Sequence, residues 1–388
     1  MIYLDHNATT PLHPRVLDAM IPYLSERWGN PSSPYRFGNE AKVALERARK
    51  RIAEHIGCKP PELIFCSSGT ESDNLALRGT AYALRSKGNH IITTAVEHHA
   101  VLNTCKALER EGFRVTYVPV TTDGFVELRS LAESISDETI LVSVMHANNE
   151  TGVVQPIEEI AAITRKRAVI LHTDAVQTAG KLPRRLAELD ADLVTFSAHK
   201  IYGPKGTAAL CVREGIHLEA LTTGGAQERG LRAGTENVAG IIGFAEAVAL
   251  AFEHSETEGQ RLWGLRDHFE KRVQATVPKV RINGARAPRV PNTSNLTFDS
   301  VDGESIVLGL DLQGICVSTG SACSTGDPEP SHVLLAMGIA ARDAQGSTRI
   351  SFGRSSQEVD VDAIVTALQG TVERLRAISS VGGEASHR

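Results

Sequence analysis

The sequence predicts an α/β protein: a large part built on a mostly parallel β-sheet with helices on both faces, followed by a smaller α+β part. Three observations predict it. From residue 62 to about 212, short apolar runs alternate with stretches of helical period. Such alternation places strands side by side in parallel beneath crossover helices. The chain has 388 residues, more than one hydrophobic core usually serves. A pair of helical stretches, about 237–254 and 260–277, then bridges to a run of strands and helices of different rhythm. The expected division is 15–255 for the large domain, and 1–14 with 256–388 for the small one.

The elements follow in order. Residues 1–14, containing Leu4-Asp5-His6-Asn7-Ala8-Thr9-Thr10-Pro11, read as an irregular arm whose polar residues are either turn chemistry or the lining of a site. A short helix is expected over 15–27 and a loop over 29–34. A helix over 38–56 places Leu45, Ala48, Ile52 and Ile56 on one face, with Gly57 as its stop. Strands are expected at 63–66, 90–94, 114–118, 140–145, 169–172, 193–196 and 207–212. Helices between them run to about 86 and over 100–111, 128–135 and 156–167. The small domain reads as strands at 295–298, 315–317 and 348–352 and helices at 304–313, 331–337 and 359–377. The tail after Ser379 is expected to fray.

Composition excludes several classes. No apolar run is long enough to span a bilayer, and the N-terminus shows no secretory pattern. No membrane association and a cytoplasmic location are expected. Net charge is −5 with no basic block, which argues against nucleic acid as a direct ligand. The six cysteines form no CxxC pair, so no zinc ribbon and no metal site are expected.

The chemistry centres on Ser197-Ala198-His199-Lys200-Ile201-Tyr202-Gly203-Pro204-Lys205-Gly206, a tight turn between two buried strands. Lys200 is either a solvated loop residue or a desolvated amine able to form a Schiff base with pyridoxal phosphate. In parallel sheets the site lies off the carboxyl ends of the strands. There, Ser67-Ser68-Gly69-Thr70 is either a plain helix cap or a phosphate cradle, which Ser197 and His199 would complete. Asp174 is either a cap or a carboxylate for a protonated pyridine nitrogen, and Gln177 stands one turn on. His98 and His99 are surface histidines, or one stacks on a ring and moves protons. Asn148-Asn149-Glu150 occupies the equivalent place after another strand. Cys323 lies in Gly320-Ser321-Ala322-Cys323-Ser324-Thr325-Gly326-Asp327-Pro328, a loop of small residues, and is either an incidental surface cysteine or an exposed thiol that something deprotonates to a nucleophile. Arg349, in an otherwise apolar strand, is either an internal ion pair or a fork for a substrate carboxylate.

At these residues the chain resembles the cysteine desulfurases of the NifS/IscS type. These are fold-type-I pyridoxal 5'-phosphate enzymes of the class-V aminotransferase superfamily, with a mostly parallel sheet of the seven-stranded type. The resemblance runs from Tyr3 to about Arg354. It rests on the motif around Lys200, Glu97-His98-His99-Ala100-Val101-Leu102, Asn148-Asn149-Glu150, Asp174-Ala175-Val176-Gln177, Glu228-Arg229-Gly230 through Gly234-Thr235, and Ser321-Ala322-Cys323. The resemblance implies that Lys200 carries the Schiff base, His98 stacks on the ring and Asp174 pairs with its nitrogen. Asn149 and Gln177 would flank the phenolate oxygen. Gly69, Thr70, Ser197 and His199 would hold the phosphate, and Thr235 would reach the phosphate of a partner subunit in a homodimer. Arg349, with Asn149, would bind the carboxylate of L-cysteine. Cys323 would take the sulfur as a persulfide, release L-alanine and pass the sulfur to an acceptor protein. Iron–sulfur cluster assembly, tRNA thiolation and DNA phosphorothioation all stay open as destinations. The segment 323–332 resembles the longer loop of the sulfur-transferring branch. The chain departs from the family at Pro34-Tyr35, where a histidine is common, and at Ala226, where a third glycine is common. The alternatives are another fold-type-I enzyme, such as a selenocysteine lyase or an aminotransferase, and a catalytically silent dimeric scaffold.

Overall fold

The computed structural model describes residues 1–183, 185–319 and 330–384. Strand β1 (Ile2–Tyr3) precedes helices α1 (Pro14–Ser25) and α2 (Arg36–Ile56). Then come β2 (Leu63–Cys66), α3 (Gly69–Ala83), β3 (His90–Thr94), α4 (His99–Arg110), β4 (Arg114–Val118) and α5 (Leu128–Ser134). The alternation continues through β5 (Thr139–Ser143), α6 (Ile157–Lys166), β6 (Ile170–Asp174), β7 (Leu193–Ser197) and β8 (Ala208–Val212). Helices α7 (Val238–Glu253) and α8 (Ser255–Thr276) lead to β9 (Val280–Ile282), β10 (Thr293–Phe298), α9 (Gly303–Asp311), β11 (Ile315–Cys316) and β12 (Ser318–Thr319). The chain closes with α10 (His332–Ala336), α11 (Ala341–Gln345), β13 (Ser347–Ser351) and α12 (Glu358–Glu384).

Among the described residues the central sheet has seven strands, in the order β2-β8-β7-β6-β5-β3-β4. Strands β3 to β7 run parallel, whereas β8 runs antiparallel to both β7 and β2. The reason is the link from β7 to β8, a tight turn that reverses the chain and leaves no room for a crossover helix. Two reversals restore direction, so β2 points the same way as β7. The carboxyl ends of β2, β3, β5, β6 and β7 therefore open on one edge of the sheet.

The helices bury the faces their periodicity marks. In α2, Leu45, Ala48, Ile52 and Ile56 face the core, and Gly57 ends the helix in the left-handed region with φ 84°. Helix α7 is apolar on nearly every side because it packs between α1, α2 and the sheet. A separate apolar cluster joins Leu4 to Leu262, Phe269, Leu296, Phe298, Ile350, Phe352 and Leu368. No single helix among the described residues is long and apolar enough to cross a membrane.

The structure departs from the expected elements in a few places. The arm is not wholly irregular: Ile2–Tyr3 pairs in parallel with Ile315–Cys316. Two residues are too few for an alternation to register. Helix α8 begins at Ser255, directly after α7 and bent from it by 69°, with Glu256 and Glu258 in its first turn. Strand β9 and helix α11 are three and five residues long and carry no period of their own. The last helix continues to Glu384, past the expected fraying point.

Candidate active site

The turn after β7 sets the site. Ala198–Lys200 form one turn of 3₁₀-helix, followed by Tyr202 at φ 67° and Gly206 at φ 79°. A Cβ on Gly203 would lie 2.8 Å from the Ala198 carbonyl oxygen and 2.9 Å from the Ala198 Cβ, so only glycine fits there. The N-terminal arm straps the turn down. Thr10 donates to the His199 carbonyl through its amide at 3.0 Å and its hydroxyl at 2.8 Å, and the Tyr202 amide donates to Thr10 Oγ1 at 2.7 Å. Lys200 Nζ donates to the carbonyls of Asn7 and Ala8 at 2.5 and 2.8 Å.

Lys200 faces an open cleft. Gly69, Thr70, His98, Asn149, Asp174, Gln177, Ser197, His199 and Arg349 line it as well. The structure thus brings together every site residue the sequence singled out, except two. Thr235 is exposed beside a different cleft, lined by Gly234 and Glu236. Cys323 lies outside the described residues.

Each wall has a local cause. Ser68 caps α3 by accepting from the Glu71 amide at 3.1 Å, which brings the first-turn amides of Gly69 and Thr70 to the cleft. Ser197 Oγ is buried without a hydrogen-bond partner among the described residues. His98 caps α4: its Nδ1 accepts from the Ala100 amide at 3.1 Å, so Nε2 carries the proton. Burial, then the Lys200 charge, lowers His98 to about 4, and the ring is neutral at pH 7. Burial and the same lysine lower His199 to about 4.

Asp174 ends β6 and accepts from the Val176 amide at 2.8 Å. Burial pushes its carboxyl up to about 6, against the pull of that amide and of Lys200. Its neighbour Asp73, on α3, is pushed well above the usual range by burial and then by the Asp174 charge. Two adjacent carboxylates do not both ionise in a buried site. Asp174 has the amide and the cation, so it keeps the negative charge.

Arg349 is almost wholly buried on β13. Its Nη2 pairs with Asp5 Oδ1 at 2.7 Å, and its Nη1 donates to the Asn149 carbonyl at 3.1 Å. It is an internal ion pair and a wall of the cleft at once. Its Nε has no partner among the described residues. The chain on either side of residues 320–329 is held at this rim. Ser318 pairs with Arg349 across β12 and β13, Ser331 Oγ donates to Glu150, and His332 Nε2 contacts the Glu97 carbonyl at 2.9 Å.

Asn7, one of the arm's polar residues, lines the cleft. Sequence reasoning missed Asp73 and Lys181. Asp73 sits four residues after Gly69, a helical spacing that returns a side chain to the same face. Lys181 gives no such signal.

Residues 2–364 match the family described as Aminotransferase class-V. A protein named cysteine desulfurase IscS from Dictyoglomus turgidum is 49% identical over 97% of this chain and 96% of its own. The chain belongs to the cysteine desulfurase family. It is an enzyme of that type, with the fold-type-I architecture expected from its motifs. Among solved structures, a NifS-like protein superposes with a TM-score of 0.90 at 39% identity, over 96% of this chain and all of the other. A structure described as SspA in complex with cysteine gives 0.81 at 35% identity, over 91% and 99%. In this desulfurase-family chain, Lys200, Asp174, His98, Asn149, Gln177 and Arg349 line one cleft with Gly69, Thr70, Ser197 and His199.

Proposed function

We propose that the protein removes sulfur from L-cysteine using pyridoxal 5'-phosphate held at Lys200, and that Cys323 receives the sulfur. The observation that carries this reading is one cleft that joins a lysine amine, an ionised Asp174 and a neutral His98. The chain flanking the Cys323 segment is fastened to the same rim.

The residues fit the cofactor. The orphaned hydroxyl of Ser197, the helix-start amides of Gly69 and Thr70, and His199 make a donor set for a phosphate. Bound there, the cofactor supplies a sink for the electrons left when a substrate proton departs. Asp174 holds the negative charge that keeps the ring nitrogen protonated. His98 offers a neutral ring to stack on, fixed by its bond to Ala100. Asn149 and Gln177, which line the cleft, would flank the cofactor's phenolate oxygen. With the cofactor bound, the Lys200 amine would serve as the base for the substrate α-proton. Arg349, pre-oriented by Asp5, binds the substrate carboxylate with Asn149 beside it. The Cys323 thiolate would attack the substrate sulfur: the S–S bond forms as the C–S bond breaks, its electron pair leaves with the β-carbon, and one proton delivered to that carbon and one returned from Lys200 to the α-carbon complete L-alanine. An acceptor protein then takes the persulfide sulfur.

The working unit is a homodimer in which Thr235 reaches the partner's phosphate. Two features support this. Thr235 is exposed and away from its own chain's cleft. Leu17, Ile21, Leu24 and Trp28 are exposed in and just after α1, with 70% of Trp28 open. The division into 15–255, and 1–14 with 256–388, is supported by the separate apolar cluster that joins Leu4 to the C-terminal part.

The test is single-turnover alanine release from L-cysteine, with an absorbance spectrum, for wild type and Cys323→Ser. Two yellow proteins, of which only the wild type releases alanine, support the reading. Equal release removes Cys323 from the mechanism and points to another lyase or an aminotransferase.

A further inference from the structure

A second lysine stands behind the first. Lys181 is half-buried and lines a cavity on the far side of Lys200, with His6, Tyr202 and Arg354. Its Nζ donates to Gln177 Oε1 at 2.7 Å and to Asn7 Oδ1 at 3.1 Å. Gln177 Nε2 donates to the Asn7 carbonyl at 3.1 Å, and that carbonyl also accepts from Lys200. The four residues form one network behind the cleft.

The network decides which end of an amide faces the cleft. A glutamine offers an acceptor oxygen and a two-proton donor nitrogen, and its partners tell them apart. With Oε1 committed to Lys181, Nε2 keeps a second N–H after serving Asn7. We propose that Lys181 is a positioning residue that holds Gln177 with this N–H toward the cleft, to donate to an anionic oxygen of the bound group. The inference rests on the reading that pyridoxal 5'-phosphate binds at Lys200.

The electrostatics allow it. Desolvation, then the charges of Lys200 and Arg349, pulls the Lys181 amine well below the usual lysine value. An amine donates in either protonation state, so the Gln177 orientation survives loss of the Lys181 proton. The charged or titratable groups facing the two lysines are Asp174, Asp73, His98, His199, Arg349 and His6, with Tyr202, Glu258 and Arg354 across the second cavity.

The test is the pH midpoint of the visible band that pyridoxal 5'-phosphate forms with Lys200. A phenolate oxygen that loses a donor holds the shared Schiff-base proton more tightly, so the midpoint rises. Lys181→Met keeps the stem and removes the donor, and is expected to raise the midpoint by about one pH unit. Gln177→Leu is expected to raise it similarly, and adding Lys181→Met to Gln177→Leu to add nothing further. Additive shifts, or an unchanged midpoint in Lys181→Met, overturn the proposal. Should Lys181→Met fail to fold, Lys181→Gln, expected to keep the donor and the wild-type midpoint, is read in its place, and a raised midpoint there overturns it. A wild type that forms no visible band would instead sink the cofactor reading, a distinct outcome from an unmoved midpoint.

Discussion

Glu228→Ala is expected to cost about 4 kcal/mol of stability while touching no atom of the cleft around Lys200. Glu228 is buried, and its carboxylate meets Arg49 in a two-pronged pair of 2.7 and 2.9 Å. It also accepts from the Phe65 amide at 2.9 Å, at the edge strand of the central sheet. Removing one partner of a buried ion pair strands the other charge, which typically costs 3–5 kcal/mol. Arg49 keeps the Leu63 carbonyl at 2.7 Å and a longer contact to Glu46 at 3.3 Å, which argues for the lower end, roughly 3 kcal/mol. The orphaned Phe65 amide adds about 1 kcal/mol. Glu228 and Arg229 have φ of 44° and 56°, so the pair also holds a strained corner of the loop that carries Thr235. The assay is equilibrium urea unfolding at fixed protein concentration, with Arg49→Met/Glu228→Leu as the companion. The double variant should recover much of the loss, because no charge is left buried. A loss below about 1 kcal/mol in Glu228→Ala, or a double variant no better than the single, would refute the reasoning.

Gly203→Ala is expected to destabilise the Lys200 turn by about 1–3 kcal/mol, because the new Cβ meets backbone at 2.8 Å, and to lower pyridoxal phosphate occupancy read by absorbance. Glu97 links stability to pH. Burial raises its carboxyl to about 8, despite bonds from the Met145 amide and the Thr94 hydroxyl. The folded state then holds a proton that the unfolded state has already lost, so this contribution falls as pH rises from about 4.5 to 8. Glu97→Gln should therefore gain on wild type in thermal melts between pH 5 and pH 8, and a constant difference would contradict the assignment. Asp5→Asn removes the anion that orients Arg349, and is expected to raise the KM for L-cysteine several-fold with a smaller change in kcat.

The strands and helices of the large part were legible because their periods are long and unbroken. Val169–Leu171 and Leu193–Phe196 are apolar on both faces, as buried parallel strands must be. The motif residues were legible because each follows such a strand, and the parallel arrangement sends those ends to one edge. Lys200, Asp174, His98 and Ser197 needed only that rule to be placed together. Elements of two to five residues were not legible, since β1, β9 and α11 owe their form to partners rather than to pattern. The antiparallel entry of β8 followed from a turn too tight for a crossover.

Local chemistry along the chain thus specifies which groups the cleft contains, because residue type and strand position are written in order. Their electrical state is not written there. Whether Asp174 or Asp73 holds the charge depends on which one meets the Val176 amide and Lys200. Whether Arg349 stands free or paired depends on Asp5, 344 residues away. Which end of Gln177 faces the cleft depends on Lys181 and on Asn7 of the N-terminal arm, 170 residues away. Each of these depends on at least one contact between segments far apart in sequence, and desolvation and hydrogen bonding act there only once folding has brought the groups within a few ångströms.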